Sequence, residues 1–137
     1  MPFKINHVAI VVPDVQDALG FWRDALGLHV ERLESNPAEQ VEIAFLPTGE
    51  SEIELIAPTS QDSGVARYLS KTGGGIHHLC LEVDDLDAAL SDLAARGVEL
   101  ITESARTRPD GVRYAFVHPR ATGGVLLELY EKQPQVG

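Results

Sequence analysis

The sequence predicts an α+β fold built from two tandem βαβββ modules, related by pseudo-twofold symmetry and forming a curled sheet with a cavity. Three observations predict it. Residues 5–19 (INHVAIVVPDVQDAL) recur at an offset of 71 as residues 76–90 (IHHLCLEVDDLDAAL), with identities at Ile5/Ile76, His7/His78, Val12/Val83, Asp14/Asp85, Ala18/Ala89 and Leu19/Leu90. Within each copy the apolar pattern switches from a period of two to a helical stripe. The offset of 71 also aligns Ala44-Phe45 with Ala115-Phe116, and an offset of 74 aligns Ile53-Glu54-Leu55 with Leu127-Glu128-Leu129. The three extra residues fit a longer loop in the second half. Each half is too short to build a good core alone. The chain therefore reads as a single domain over 1–137, with repeat one at about 4–58, a connecting helix and loop at 59–75, and repeat two at about 76–131.

Each element follows from local pattern. Val8, Ile10 and Val12 alternate with His7, Ala9 and Val11, as expected of a strand. Leu79, Leu81 and Val83 alternate with His78, Cys80 and Glu82 in the same way. Asp14 is placed to cap a helix whose stripe is Val15, Ala18, Leu19, Trp22 and Leu26. Asp85 caps a second helix with the stripe Leu86, Ala89, Leu90 and Leu93, and Gly27 and Gly97 stop the two. Strands are predicted at 29–33, 41–46 and 52–56, then at 99–103, 113–117 and 125–130. Pro47-Thr48-Gly49 and the 119–124 segment supply hairpin turns. Between the halves, residues 63–71 read as a short helix ended by Thr72-Gly73-Gly74-Gly75.

Composition excludes several functions. The chain has 137 residues, 21 acidic against 11 basic, and a formal net charge of −10. Nucleic-acid binding and attachment to anionic membranes both need a basic footprint, so neither partner is expected. One cysteine, Cys80, allows no internal disulfide framework and suits a reducing compartment. The longest aliphatic run, residues 8–12, is far too short for a membrane span. Residues 1–4 lead directly into the first strand, leaving no room for a targeting segment, so a cytoplasmic location is expected.

Strand alternation singles out the residues that carry chemistry. His7 and His78 point away from the apolar faces of their strands. Glu54, between Ile53 and Leu55, and Glu128, between Leu127 and Leu129, do the same. Two imidazoles and two carboxylates at matched repeat positions make a normal ligand set for a divalent transition metal, with positions left for water or substrate. Glu42 is flanked on its own face by Ala44 and Leu46, and its partner at the 71 offset is Arg113. These two are expected on opposite walls of the same cavity. Arg67, Lys71, Arg106, Arg108 and Arg113 are the candidates for a local basic patch. No phosphate-loop or dinucleotide fingerprint occurs.

The paired βαβββ pattern and its motifs resemble the vicinal oxygen chelate superfamily, and within it the methylmalonyl-CoA epimerase family. The resemblance rests on residues 5–12 (INHVAIVV), 54–59 (ELIAPT), 75–79 (GIHHL), 83–86 (VDDL) and 118–129 (HPRATGGVLLEL), and runs from about residue 4 to 131. It implies metal ligands at His7, His78 and Glu128. A fourth ligand falls at Glu54, where some members carry Gln. It implies acid/base roles for Glu42 and Glu128, and epimerisation of a malonyl-type thioester at C2 through a metal-stabilised enolate. The implied cofactor is a divalent ion, Co²⁺ first, with Mn²⁺, Zn²⁺, Ni²⁺ and Fe²⁺ as alternatives. The implied partners are an acyl-CoA substrate and a second copy of the chain in a homodimer. A glyoxalase I-like isomerase and a metal-free small-molecule binding protein are the rival readings on the same fold.

Overall fold

The computed structural model describes residues 3–131. Among them the chain divides into two compact units, one spanning His7–His77 and the other joining residues 3–6 to those from His78 onward.

The His7–His77 unit contains most of β1 (Lys4–Val11), then α1 (Val15–Leu19), β2 (Arg32–Asn36), β3 (Val41–Thr48), β4 (Ser51–Pro58) and α2 (Gly64–Thr72). Its strands lie in the order β2-β3-β4-β1. The β1–β4 pair is parallel and the other pairs are antiparallel. Asp14 caps α1 by accepting a hydrogen bond from the Asp17 N–H at 2.9 Å. Val15 and Leu19 then bury against Ala44, Leu46, Leu55 and Ala57, with Ile10, Val12, Trp22 and Ile53 packed around them. The helix stripe differs from expectation at its end. From Gly20 to Ala25 the helix widens into a π turn, with the Leu26 N–H bonding the Phe21 carbonyl. The wider turn rotates Leu26 off the buried stripe, and it is 54% exposed.

The other unit contains β5 (Gly75–Val83, from His78 onward), α3 (Leu86–Ala95), β6 (Arg106–Thr107), β7 (Arg113–Val117), a 3₁₀ turn (Pro119–Ala121) and β8 (Leu127–Glu131). The strand order is β5-β8-β7-β6, again with the first and last strands parallel. Asp85 accepts from the Ala88 N–H at 3.0 Å, and Leu86 and Leu90 bury against Val83, Ala115, Val117 and Leu129. Both units thus repeat one βαβββ topology. Among the described residues no helix is long and apolar enough to cross a membrane.

Two predicted strands differ from expectation, each beside a polar turn. The strand expected at 29–33 forms at Arg32–Asn36. Asn36 Oδ1 accepts from the Glu39 N–H and Gln40 adopts φ 58°, which pins Asn36 opposite Val41 and draws the strand to the turn. The strand expected at 99–103 does not form. That segment makes one bridge, Leu100 to Val117, while β6 pairs with β7 across the turn at Arg108–Gly111. There the Gly111 N–H donates to the Arg108 carbonyl and the Arg108 N–H to the Val112 carbonyl, both at 2.9 Å.

Gly74 shows where a side chain has no room. It adopts φ +101°, and a Cβ would lie 2.7 Å from the Val11 carbonyl oxygen. Gly74→Ala should destabilise the fold by about 1–3 kcal/mol, read as a lower denaturation midpoint. An unchanged midpoint would contradict this close approach.

Candidate metal and acid/base site

Strand register decides which side chains share a face. In the His7–His77 unit, Ala9 pairs with Glu54, His7 with Glu52, and Phe45 with Glu54. His7, Glu52 and Glu54 therefore lie on the face opposite to Leu55 and Ala57, which pack under α1. The His7 Nδ1 and Glu54 Oε2 atoms are 3.0 Å apart, with the imidazole almost fully buried. In the other unit, Cys80 pairs with Glu128 and Phe116 with Glu128. His78, Cys80, Phe116 and Glu128 share the face away from α3. His78 Nε2 lies 3.2 Å from Glu128 Oε1, and both side chains are buried. The His78 ring also meets Phe116 edge-on, with centroids 6.0 Å apart, which restrains its tilt.

Each unit thus brings one predicted imidazole to one predicted carboxylate. The spacing suits a shared cation. Two ligands each about 2.1 Å from a metal, at a right angle, stand about 3.0 Å apart. Borderline nitrogen with hard carboxylate oxygen is a donor set for divalent first-row metals. On both counts the residues present fit such an ion. Cys80, fully buried and in no disulfide, sits where the first repeat has Ala9.

Two further expectations are corrected. Glu42 pairs with Ala57, and its own-face neighbours Ala44 and Leu46 belong to the core under α1. Its place is the helix-covered face of the sheet, not the face of His7 and Glu54. Arg113 repeats the correction in the other unit. Its neighbours Ala115 and Val117 pack in the core under α3. Its guanidinium bonds Asp87 on α3 at 2.7 Å and Glu131 at 3.0 Å. Glu131 in turn accepts from the Leu86 N–H at 3.0 Å, so Arg113 braces the start of α3 rather than a cavity wall. Of the other basic candidates, Arg67 donates to the Asp62 carbonyl, Lys71 lies in the last turn of α2, and Arg106 is exposed on β6.

Two features escaped the sequence reading. Glu52 shares the His7–Glu54 face, and burial first, then the neighbouring Glu54 charge, holds its carboxyl above the ordinary carboxylate range. Alternation along β4 could have found it. Tyr130, two residues beyond Glu128, carries a guanidinium on its ring: Arg108 lies 5.3 Å from the ring centroid, and its Nη1 donates to the Tyr130 hydroxyl at 2.6 Å. Period-two alternation places Tyr130, and Arg108 is among the basic candidates, but nothing in the pattern pairs the two.

Residues 6–116 match the family model described as "Glyoxalase/Bleomycin resistance protein/Dioxygenase superfamily". The chain is 38% identical over 127 residues to the human mitochondrial methylmalonyl-CoA epimerase, covering 92% of this chain and 72% of that protein. It is 35% identical over 128 residues to an ethylmalonyl-CoA/methylmalonyl-CoA epimerase of Cereibacter sphaeroides, covering 92% and 96%. Among solved structures, a methylmalonyl-CoA epimerase in complex with methylmalonyl-CoA and ammonium superposes with a TM-score of 0.83 at 32% identity, over 96% of both chains. The epimerase from Mycobacterium tuberculosis superposes with a TM-score of 0.81 at 38% identity, over 95% of this chain and 88% of that one. With its paired βαβββ units and this similarity along most of its length, the chain belongs to the glyoxalase/bleomycin resistance protein/dioxygenase superfamily and, within it, to the methylmalonyl-CoA epimerase family of enzymes.

Proposed function

We propose that the chain interconverts (2R)- and (2S)-methylmalonyl-CoA, with a divalent metal held by His7, Glu54, His78 and Glu128. The observation that carries this reading is the doubled pair, His7 with Glu54 and His78 with Glu128, each at ligand spacing and each buried. The names of the relatives support the substrate. Co²⁺ is the first choice of ion, on the family resemblance. The human relative's name carries a mitochondrial address, so family membership does not by itself imply a cytoplasmic location.

The thioester α-proton is too weakly acidic for an unaided carboxylate at neutral pH. When bound, the divalent ion supplies Lewis-acid stabilisation of the oxygen on which charge develops. The chain's own residues do the rest. His7 and His78 supply ring-nitrogen donors from buried side chains. Glu54 and Glu128 balance the charge of the cation. Glu128 takes the C2 proton from one face of the acyl group as a general base, and inversion is completed by a proton delivered to the opposite face of the planar enolate. No redox group or nucleophile is needed.

For the opposite face of the enolate the resemblance offers Glu42, and the strand register opposes it. Glu42→Gln separates the two. On the register, the variant keeps its metal and turns over within a few-fold of the parent. A loss of about a hundredfold or more at full metal content would place Glu42 in the reaction.

The reading as a whole is tested by incubating the purified protein with Co²⁺ or Mn²⁺ in D₂O. The C2 hydrogen of methylmalonyl-CoA should exchange, and the two epimers should equilibrate. Full metal loading without exchange would overturn the reading. Activity on a methylglyoxal hemithioacetal instead would select a glyoxalase-type isomerase.

A further inference from the structure

Arg108 stands on the Glu128 face of its unit with capacity to spare. The turn after β6 places it: the Arg108 N–H bonds the Val112 carbonyl, and Gly111 closes the turn at φ 89°. The guanidinium lies over the Tyr130 ring and donates from Nη1 to the Tyr130 hydroxyl. Nε donates to Asp110 at 3.2 Å, and Nη2 bonds the same carboxylate. Asp110 first, and Glu128 among the lesser charges, hold the guanidinium protonated. Three of its five N–H groups are thus used among the described residues, and the side chain is only 40% exposed. A half-covered guanidinium near a buried carboxylate, in a chain of net charge −10, is matched to an anion.

We propose that Arg108 binds the free carboxylate of the malonyl-type acyl group and so sets specificity for thioesters that carry one. The inference rests on the reading above. It favours the acyl carboxylate over the phosphates of CoA because Arg108 is seated on Tyr130, two residues from Glu128 on the same face of β8. In that reading Glu128 addresses C2, and the acyl carboxylate is bonded directly to C2. The phosphates lie at the far end of the pantetheine arm. Tyr130 holds the guanidinium from below and limits its rotation, so little freedom is lost when the anion arrives.

The test compares Arg108→Gln and Arg108→Lys with the parent, using methylmalonyl-CoA, methylmalonyl-pantetheine and, as a competing ligand, propionyl-CoA, which lacks the carboxylate. Arg108→Gln should raise KM for both malonyl thioesters about ten- to a hundredfold, with a smaller change in kcat. The inhibition constant of propionyl-CoA should stay within twofold of the parent's. Arg108→Lys keeps the charge without the planar fork and should recover part of the loss. Should the Gln variant not fold, the Lys variant alone is read: its KM for both malonyl thioesters should still exceed the parent's several-fold. An unchanged KM would overturn the proposal. So would a loss confined to methylmalonyl-CoA with equal weakening of propionyl-CoA, which would move Arg108 to the phosphates. If the parent itself exchanges no C2 proton, the proposed function fails. If the parent is active and the variants match it, only the role of Arg108 fails.

Discussion

The His78→Ala variant should purify without stoichiometric metal and should lose about a thousandfold in C2 proton exchange. The argument starts from the geometry of one unit. His78 Nε2 lies 3.2 Å from Glu128 Oε1 with both side chains buried, so no solvent group stands ready to replace the imidazole. Even partners outside a ligand shell cost about 10–100-fold in metal affinity when removed, and a ligand costs more. Lewis-acid stabilisation contributes several kcal/mol to such a transition state, and each 1.36 kcal/mol is tenfold in rate. Metal analysis and D₂O exchange on one sample give both readouts. A variant that keeps stoichiometric metal would remove His78 from the ligand set. One that loses metal and keeps its rate would remove the metal from the reaction.

Glu128→Gln should separate holding the metal from moving the proton. An amide oxygen still offers lone pairs to a cation, and the shape of the side chain is kept. The variant should therefore retain at least about half the parent's metal under excess Co²⁺, with the loss of one negative charge weakening affinity modestly. The amide cannot accept the C2 proton at neutral pH, so exchange should fall by about 10²–10⁴. Exchange at the parent's rate with full metal would assign the base elsewhere. Loss of metal alongside exchange would leave Glu128 as a ligand only.

The sheet face of the four proposed ligands was legible because alternation in a strand is a hard constraint. Glu54 and Glu128 each sit between apolar neighbours, and His7 and His78 each precede an alternating apolar run that fixes the opposite face. The same logic was available for Glu42 and Arg113 and pointed the other way. Ala44 and Leu46 share Glu42's face, Ala115 and Val117 share Arg113's, and all four lie under helices. The repeat offset paired Glu42 with Arg113 correctly but said nothing about which side of the sheet they occupy. Strand ends were less legible, since they depend on polar turn contacts. Asn36 Oδ1 and the Arg108–Gly111 turn set two registers, and neither leaves a trace in apolar periodicity. The π turn after Gly20 is likewise invisible to a stripe counted at 3.6 residues per turn.

The parallel pairing of first and last strands within each unit has a consequence for thermal behaviour. The members of each His–Glu pair are brought together only by that pairing, for they stand 47 residues apart in one unit and 50 in the other. An unfolded chain holds neither pair at chelating distance. A cation taken up by the native chain and ignored by the denatured one shifts the unfolding equilibrium by mass action, by about 2.7 kcal/mol at a free concentration a hundred times Kd. A melting temperature that climbs with the logarithm of free Co²⁺, and no longer climbs in the His78→Ala variant, would make heat a titration of the site.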